Sequence, residues 1–288
     1  MLNITEINRV IKTNVIIDKV RYFCEVIGTS ILGSQDKACP FCSSLETSEL
    51  MNKFLLIKLF RCNNCGLMFR YPKDEMRSPY YRDARYYEEP KISNALPTAA
   101  ELARLKKQNF KGGIYDISHK VDIIKKYVKG GNLLDYGAAW GYHLWQFINA
   151  GFSGIGYEVA AKRAKFGQEN LGLRIITDSK ELDLFESNFD IVFANHVLEH
   201  IEDIRGEFNR IYKLLKEAGY LFIFVPDCSD IDKQRWKEIY AFGKKHCIAF
   251  DRLFFNKNLS SIGFSTVEIK KSMSDERELT VIAKKINR

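Results

Sequence analysis

The sequence is most informative first for what it lacks. No apolar run approaches the roughly 18 residues that a bilayer-crossing helix needs, so no membrane anchor is expected. The opening stretch, MLNITEINRVIKTNVIIDKV, is broken by Glu6, Arg9, Lys12, Asp18 and Lys19. It has no apolar centre followed by a small-residue cleavage site, which argues against a secretory leader. With 6 prolines and 18 glycines among 288 residues, there is no collagen-like repeat, and no disordered tail stands out. These absences point to a cytoplasmic protein with no membrane partner.

The remaining composition is that of an ordinary globular chain, 46% hydrophobic and 28% charged. Its length suits one large domain with something small attached. The net charge of +8 allows an anionic substrate such as a nucleotide or phosphorylated metabolite. It does not demand one, because the lysines and arginines are spread along the chain.

Of 7 cysteines, four form two tight pairs, Cys39-Pro-Phe-Cys42 and Cys62-Asn-Asn-Cys65-Gly. In a cytosolic chain such pairs argue for metal before disulfides. Two knuckles of this kind place four thiolates tetrahedrally around one zinc ion, and the segment KFLLIKLFR between them reads as ribbon strand. A closed four-cysteine site leaves no open position for substrate, so a structural Zn2+ is the first reading. The basic residues Lys53, Lys58, Arg61 and Arg70 do not form an aromatic-basic platform, which makes nucleic acid the weaker alternative. Cys24, Cys228 and Cys247 lack such spacing and read as small buried apolar residues.

Three regions follow: an N-terminal segment with the ribbon (1–75), an aromatic link and helix (76–115), and a large domain (116–288). The link contains SPYYRDARYYEEP, whose tyrosines could pack on the next domain or cover a site. From Thr98 to Lys129 the pattern is helical, with Ile117, Val121, Ile124 and Val128 at helical spacing and Gly130-Gly131 as the stop. Strands and helices then alternate through NLLDYG, YHLWQFINAG, SGIGYEV, AAKRAKFGQENLG, LRIIT and FDIVFAN. The helical reading HVLEHIEDIRGEFNRIYKLLKEAG ends at Gly219, and YLFIFVPD is a fifth strand. The expected fold is α/β, with a parallel sheet covered on both faces. A closing hairpin, FSTVEIKKS and ELTVIAKK, adds an antiparallel strand.

The strongest signal in the large domain is LLDYGAAWGYHL. An apolar strand runs into Asp135, then Gly137 and Gly141, then a helix. Such a tight strand-to-helix turn brings backbone close to a ligand, and Gly137 permits it without a Cβ clash. Glu158 ends the next strand, where a carboxylate can accept both hydroxyls of a ribose. Alone, these features fit any nucleoside-binding α/β fold, or a turn made only for packing.

The ordered set is more specific. Asp135-Tyr136-Gly137-Ala138-Ala139-Trp140-Gly141 resembles motif I of the class I S-adenosyl-L-methionine (SAM)-dependent methyltransferases, Asp-x-Gly-x-Gly-x-Gly. Glu158 matches that family's ribose ligand, and NFDIVFANHVLEHIED its fourth strand and the segment after it. LKEAGYLFIFVPD is similar to its fifth strand, and the closing hairpin to its antiparallel seventh. The resemblance runs from about Val121 to Lys285 and implies a Rossmann-like seven-stranded sheet with SAM as cofactor. It further implies that Gly137, Ala138, Ala139 and Gly141 border the amino-acid end of SAM, with Asp135 supporting the loop. Glu158 would hold the ribose, and Asp178 with Ser179 would lie near the adenine. Asn195 and His196 would end the fourth strand at the ligand edge. Ala139 departs from the pattern, because the family has glycine there. No G-x-G-x-x-G is present, which speaks against NAD. With the ribbon and the tyrosine-rich link, the chain resembles sugar and small-metabolite methyltransferases.

Methyl transfer from a sulfonium is an in-line displacement in which alignment supplies much of the rate. A hydroxyl or carbon acceptor usually needs a general base as well. His196, His200 and His246 are the candidates, each weighed against a structural contact near a helix start. His119 and His143 sit inside helical patterns and read as structural or surface residues. If the stretch after the fourth strand is helical, His196, Glu199 and His200 share a face and could hold a second, divalent cation. Some quinone-pathway O-methyltransferases carry Glu-x-x-Glu-His there, with His196 here in place of the first Glu. The expected partner is a small-molecule acceptor. An RNA methyltransferase is a second hypothesis, although no Asn-Pro-Pro-Tyr-like motif follows the fourth strand. A non-catalytic binding module is a third. The residues leave the oligomeric state and the acceptor atom open.

Overall fold

A computed structural model describes residues 37–53, 57–71, 95–230, 246–272 and 275–287. The first stretch with Cys24, and the tyrosine-rich link, lie outside the described residues.

Two sheets organise the chain. The larger has seven strands in the order β10-β11-β8-β7-β4-β5-β6. Its parallel part comprises β4 (Asn132–Tyr136), β5 (Ser153–Tyr157), β6 (Ile175–Ile176), β7 (Phe189–Asn195) and β8 (Leu215–Pro226). β11 (Glu278–Lys285) inserts antiparallel between β8 and β10 (Phe264–Lys271), as expected for the closing hairpin. The Rossmann-like seven-stranded arrangement expected from the motifs is therefore present. Because β4 and β7 are central and parallel, they are covered on both faces and read as apolar runs; Leu133, Leu134, Ile191, Val192 and Phe193 are fully buried.

The stretch read as one helical block is two helices, α1 (Ala99–Lys107) and α2 (Ser118–Tyr127). Thr98 starts α1 with a capping box: its hydroxyl accepts from Glu101 N, and Glu101 returns a bond to Thr98 N. Leu102 and Leu105 of α1 enter the same core as Val121, Phe147 and Phe193. α3 (Tyr142–Asn149) and α4 (Ala161–Leu171) follow β4 and β5, and the single-turn α5 (Ser179–Leu182) follows β6. The helix expected to reach Gly219 is shorter. A 3-10 turn at Leu198–His200 precedes α6 (Ile204–Leu214), and β8 begins at once at Leu215. Asp203 caps α6 by accepting from Gly206 N. His196, at φ 51°, breaks the continuity that a single helix would require.

The smaller sheet is antiparallel, in the order β1-β2-β3-β9. The segment read as one ribbon strand is part of a hairpin, with β1 (Thr47–Lys53) pairing β2 (Ile57–Cys62), followed by β3 (Met68–Tyr71). The fourth strand, β9 (Ile248–Ala249), comes from the large domain, just before α7 (Arg252–Asn258). Among the described residues, no helix is long and apolar enough to cross a membrane.

Candidate active site and four-cysteine centre

In a parallel sheet ligands gather at the carboxyl edge of the strands, and this sheet brings the motif residues to that edge. β4 carries Asp135 as its next-to-last residue and runs into the turn at Gly137, β5 ends at Tyr157 with Glu158 next, β6 leads to Asp178, and β7 ends in Asn195. The turn is tight. Gly137 has φ 81°, and a Cβ there would lie 2.7 Å from Val197 Cγ2. Gly141 has φ 88° and heads α3. Ala139, where the motif has glycine, takes the left-handed conformation at φ 50°, at a cost of about 1 kcal/mol. It donates its N–H to Glu158 Oε2 at 2.9 Å, while Ala160 N–H bonds Oε1 at 2.8 Å. Glu158 is thereby fixed under the loop with one acceptor site of each oxygen used, and burial pushes its pKa up against the pull of Arg163 and the two amides. Asp178 is exposed and caps α5 through Lys180 N; Ser179 stands beside it, half-buried.

The fit to a cationic cofactor rests on Asp135. Its carboxylate is fully buried beneath the loop, and neither oxygen has a hydrogen-bond partner. His143 Nδ1 lies 3.7 Å from Asp135 Oδ1. A buried carboxylate with both oxygens unpartnered at this edge suits a ligand that brings donors or positive charge, as an α-ammonium and a sulfonium do.

From Asp135 a chain of polar groups crosses the edge toward β11. His143 Nε2 lies 3.3 Å from Asn195 Nδ2, and Lys120 Nζ donates to Asn195 Oδ1 at 2.5 Å and to Glu278 Oε2 at 2.6 Å. Glu278 Oε2 also bonds His196 Nε2 at 2.9 Å, and His196 Nδ1 lies 3.3 Å from Glu199 Oε1. Partial desolvation would lower the His196 pKa, but its bonds with Glu199 and Glu278 reverse that and raise it to about 9. Burial would raise both carboxylates; the His196 bonds and neighbouring cations instead hold Glu199 and Glu278 at about 2. Burial draws the Lys120 pKa down, and Glu278 only partly offsets it.

Sequence reasoning missed three of these groups. Lys120 sits in the Ile117-Val121-Ile124 stripe, the buried face of α2, and a charged residue in that stripe was the available signal. Glu278 opens the antiparallel β11, so it starts at the carboxyl edge opposite Pro226. His143, read as structural or surface, is buried between Asp135 and Asn195.

The trio expected for a cation is also rearranged. Glu199, His200 and His246 place ligand atoms within 4.8 Å of one another, whereas His196 faces Glu199 and Glu278. The His200 and His246 rings stand 4.7 Å apart, edge to face. Glu199 Oε2 is buried and without a hydrogen-bond partner. The helical face on which the other grouping depended is absent, because the backbone turns at His196.

The four ribbon sulfurs form a second cluster, also within 4.8 Å, with Cys39–Cys65 at 3.4 Å and Cys42–Cys62 at 3.5 Å. Sulfurs bound tetrahedrally to zinc at about 2.3 Å lie about 3.8 Å apart, so this donor set could hold one such ion with little movement. The bond from Cys65 holds the Cys39 thiol at about 5 against its burial, and pushes Cys65 up. Of the ribbon's basic residues, Arg70 is buried, Arg61 pairs with Asp251 at 2.7 Å and Lys58 with Glu49 at 2.7 Å.

Residues 98–269, more than half of the chain, match a protein family described as "Methyltransferase domain". No curated protein matches by sequence. Among solved structures, the PH0226 protein from Pyrococcus horikoshii is 16% identical with a TM-score of 0.50, over 72% of this chain and 98% of that one. A SAM-dependent methyltransferase from Archaeoglobus fulgidus is 18% identical, TM-score 0.49, over 64% and 99%. The Burkholderia thailandensis 1,6-didemethyltoxoflavin-N1-methyltransferase, with bound S-adenosylhomocysteine, is 17% identical, TM-score 0.46, over 68% and 94%.

Proposed function

The chain belongs to the methyltransferase-domain family, and on that premise we propose that it transfers a methyl group from SAM to a small polar metabolite, such as a nucleotide-linked or cell-surface sugar, in the cytoplasm. The observation that carries this is the shared carboxyl edge, where the Asp135–Glu158 loop and the Glu199–His200–His246 cluster are joined by one polar chain. Asp135, Gly137, Ala138, Ala139 and Gly141 face the amino-acid end of SAM. Glu158 takes the ribose, Asp178 and Ser179 the adenine side, and Asn195 closes the edge.

The division of labour among the histidines follows from charge. An imidazole held at about 9 by two carboxylates is protonated at neutral pH, so His196 is a charged strut rather than a proton acceptor. The base falls to His200 or His246, oriented by Glu199. The unpartnered Glu199 Oε2 favours one second reading, a divalent cation on Glu199, His200 and His246 that orients the acceptor oxygen. The ribbon sulfurs hold a structural zinc. The ribbon's arginines and Lys58 are engaged within the protein, which favours a metabolite over RNA as acceptor.

The test is tritium transfer from labelled SAM to a panel of nucleotide sugars, set beside unmodified tRNA and rRNA. Transfer to a sugar nucleotide that falls at least about a hundredfold in His200→Asn or His246→Asn supports the proposal. Salt-sensitive transfer to RNA alone overturns it. Restoration of chelated protein by magnesium or manganese, with zinc retained in the ribbon, favours the cation reading.

A further inference from the structure

We infer that the four-cysteine ribbon is a positioning arm of the acceptor site, holding His246 against Glu199 and His200 through β3 and β9. This rests on the proposed role of that cluster and adds what keeps it assembled. The link is short and continuous. Arg70 N, at the end of β3, donates to Cys247 O at 2.9 Å, and Cys247 N donates to Glu199 O at 3.0 Å. Cys247, the residue after His246, is thus clamped between the ribbon and the turn that carries Glu199 and His200. The next two residues pair with the ribbon as Phe69↔Ile248 and Met68↔Ala249.

The ribbon is anchored around this link by three further contacts. Arg61 reaches Asp251 at 2.7 Å, with the carboxylate only 6% exposed. Asn258 Nδ2 donates to the carbonyl of the knuckle residue Cys65 at 2.8 Å. Phe41, between the first two cysteines, packs edge-on to Phe254 at 5.0 Å and to Phe208 at 6.4 Å.

These contacts join the ribbon to one face of the large sheet. Cys39, Phe41, Cys62, Cys65 and Phe69 share a core with Leu198, Phe208, Ile248 and Phe254, a core that also takes in Tyr136 and Tyr157 at the ends of β4 and β5. The core beneath the cofactor loop, which includes Ala138, Ala139, Trp140 and Leu173, contains no ribbon residue among the described residues. A β-strand of two residues has little stability of its own, so β9 depends on its neighbours: β3 on the ribbon side, and on the other the Cys247–Glu199 bond and the Asp227↔Phe250 bridge with its Cys228 N–H to Phe250 O bond at 2.9 Å. Integrity of the sulfur centre therefore bears first on the acceptor cluster, which the ribbon bonds directly, and reaches the cofactor loop only through the shared sheet core.

The experiment compares the full-length parent with Arg61→Gln, which leaves every sulfur in place, and with chelator-treated Cys62→Ser. Amide hydrogen exchange, calorimetry with S-adenosylhomocysteine and NMR spectra of the histidine rings at fixed pH are read on each. The Cys247 and Ile248 amides should exchange about tenfold faster or more in both variants, while the S-adenosylhomocysteine Kd stays within about twofold of the parent. In the parent, His246→Asn should shift the His200 ring resonances at fixed pH; in the Arg61→Gln background it should not. Arg61→Lys should restore the coupling. The inference is overturned if ribbon amides lose protection while Cys247 and Ile248 keep theirs. It is equally overturned if cofactor affinity falls in step with ribbon integrity. Failure of the parent to bind S-adenosylhomocysteine would instead count against the methyltransferase reading itself.

Discussion

Replacing Glu278 by glutamine tests the buried ion cluster with a calculable outcome. Glu278 is 6% exposed and Lys120 is 7% exposed, and they meet at 2.6 Å. Glutamine keeps the shape but removes the charge, leaving the Lys120 ammonium with Asn195 Oδ1 and no carboxylate at hydrogen-bond distance among the described residues. Removing one member of a buried pair costs about 3–5 kcal/mol, or a fall in Tm of about 10 °C for a domain of this size. The same change should lower the His196 pKa from about 9, because one of its two carboxylates is lost. The assay is urea unfolding at pH 6 on the parent, Glu278→Gln, Lys120→Met and the double variant, with the His196 ring followed by NMR. The double variant should recover at least half of the loss, since the stranded ammonium goes with it. A single variant within about 1 kcal/mol of the parent would refute the reasoning. So would a double variant no more stable than Glu278→Gln.

Two further outcomes follow from local geometry. Ala139→Gly removes a left-handed alanine and should stabilise the fold by about 0.5–1 kcal/mol in urea unfolding; a loss of stability would show that the alanine methyl packs usefully against the loop. Stability should also depend on pH through the cluster. His196, raised from 6.5 to about 9, contributes fully below 6.5 and loses that contribution as pH rises through about 9. Glu199 and Glu278, lowered from 4.5 to about 2, contribute above 4.5 and lose it as pH falls through about 2. The stability curve should therefore be highest between these limits. Because His196 is 45% exposed, its alkaline limb is worth only on the order of 1 kcal/mol. His196→Asn should flatten that limb, and an unchanged limb would assign it elsewhere.

Much of the cofactor half was legible because it obeys local rules. A glycine turn after an apolar strand, an acid at the end of the next strand and the alternation of elements each have a short-range physical cause. The acceptor half was less legible because its geometry is long-range. Lys120 and Glu278 are 158 residues apart in sequence, and nothing local says that they meet. The regrouping of Glu199 and His200 with His246 depends on a left-handed residue at His196, a conformation that histidine tolerates but that the helical reading of this stretch passes over. The ribbon was legible from its cysteine spacing. Its union with the large domain was not, because β9 is two residues long and carries no periodic signal.

The central claim, that this fold holds SAM against Glu158, is tested most directly by calorimetric titration of the full-length protein with SAM and S-adenosylhomocysteine. Micromolar binding of both is expected, weakened at least about tenfold by Glu158→Ala and less by Glu158→Gln, which can keep a hydrogen bond to the ribose. No binding of either ligand to the folded parent, or equal binding by Glu158→Ala, would contradict the account.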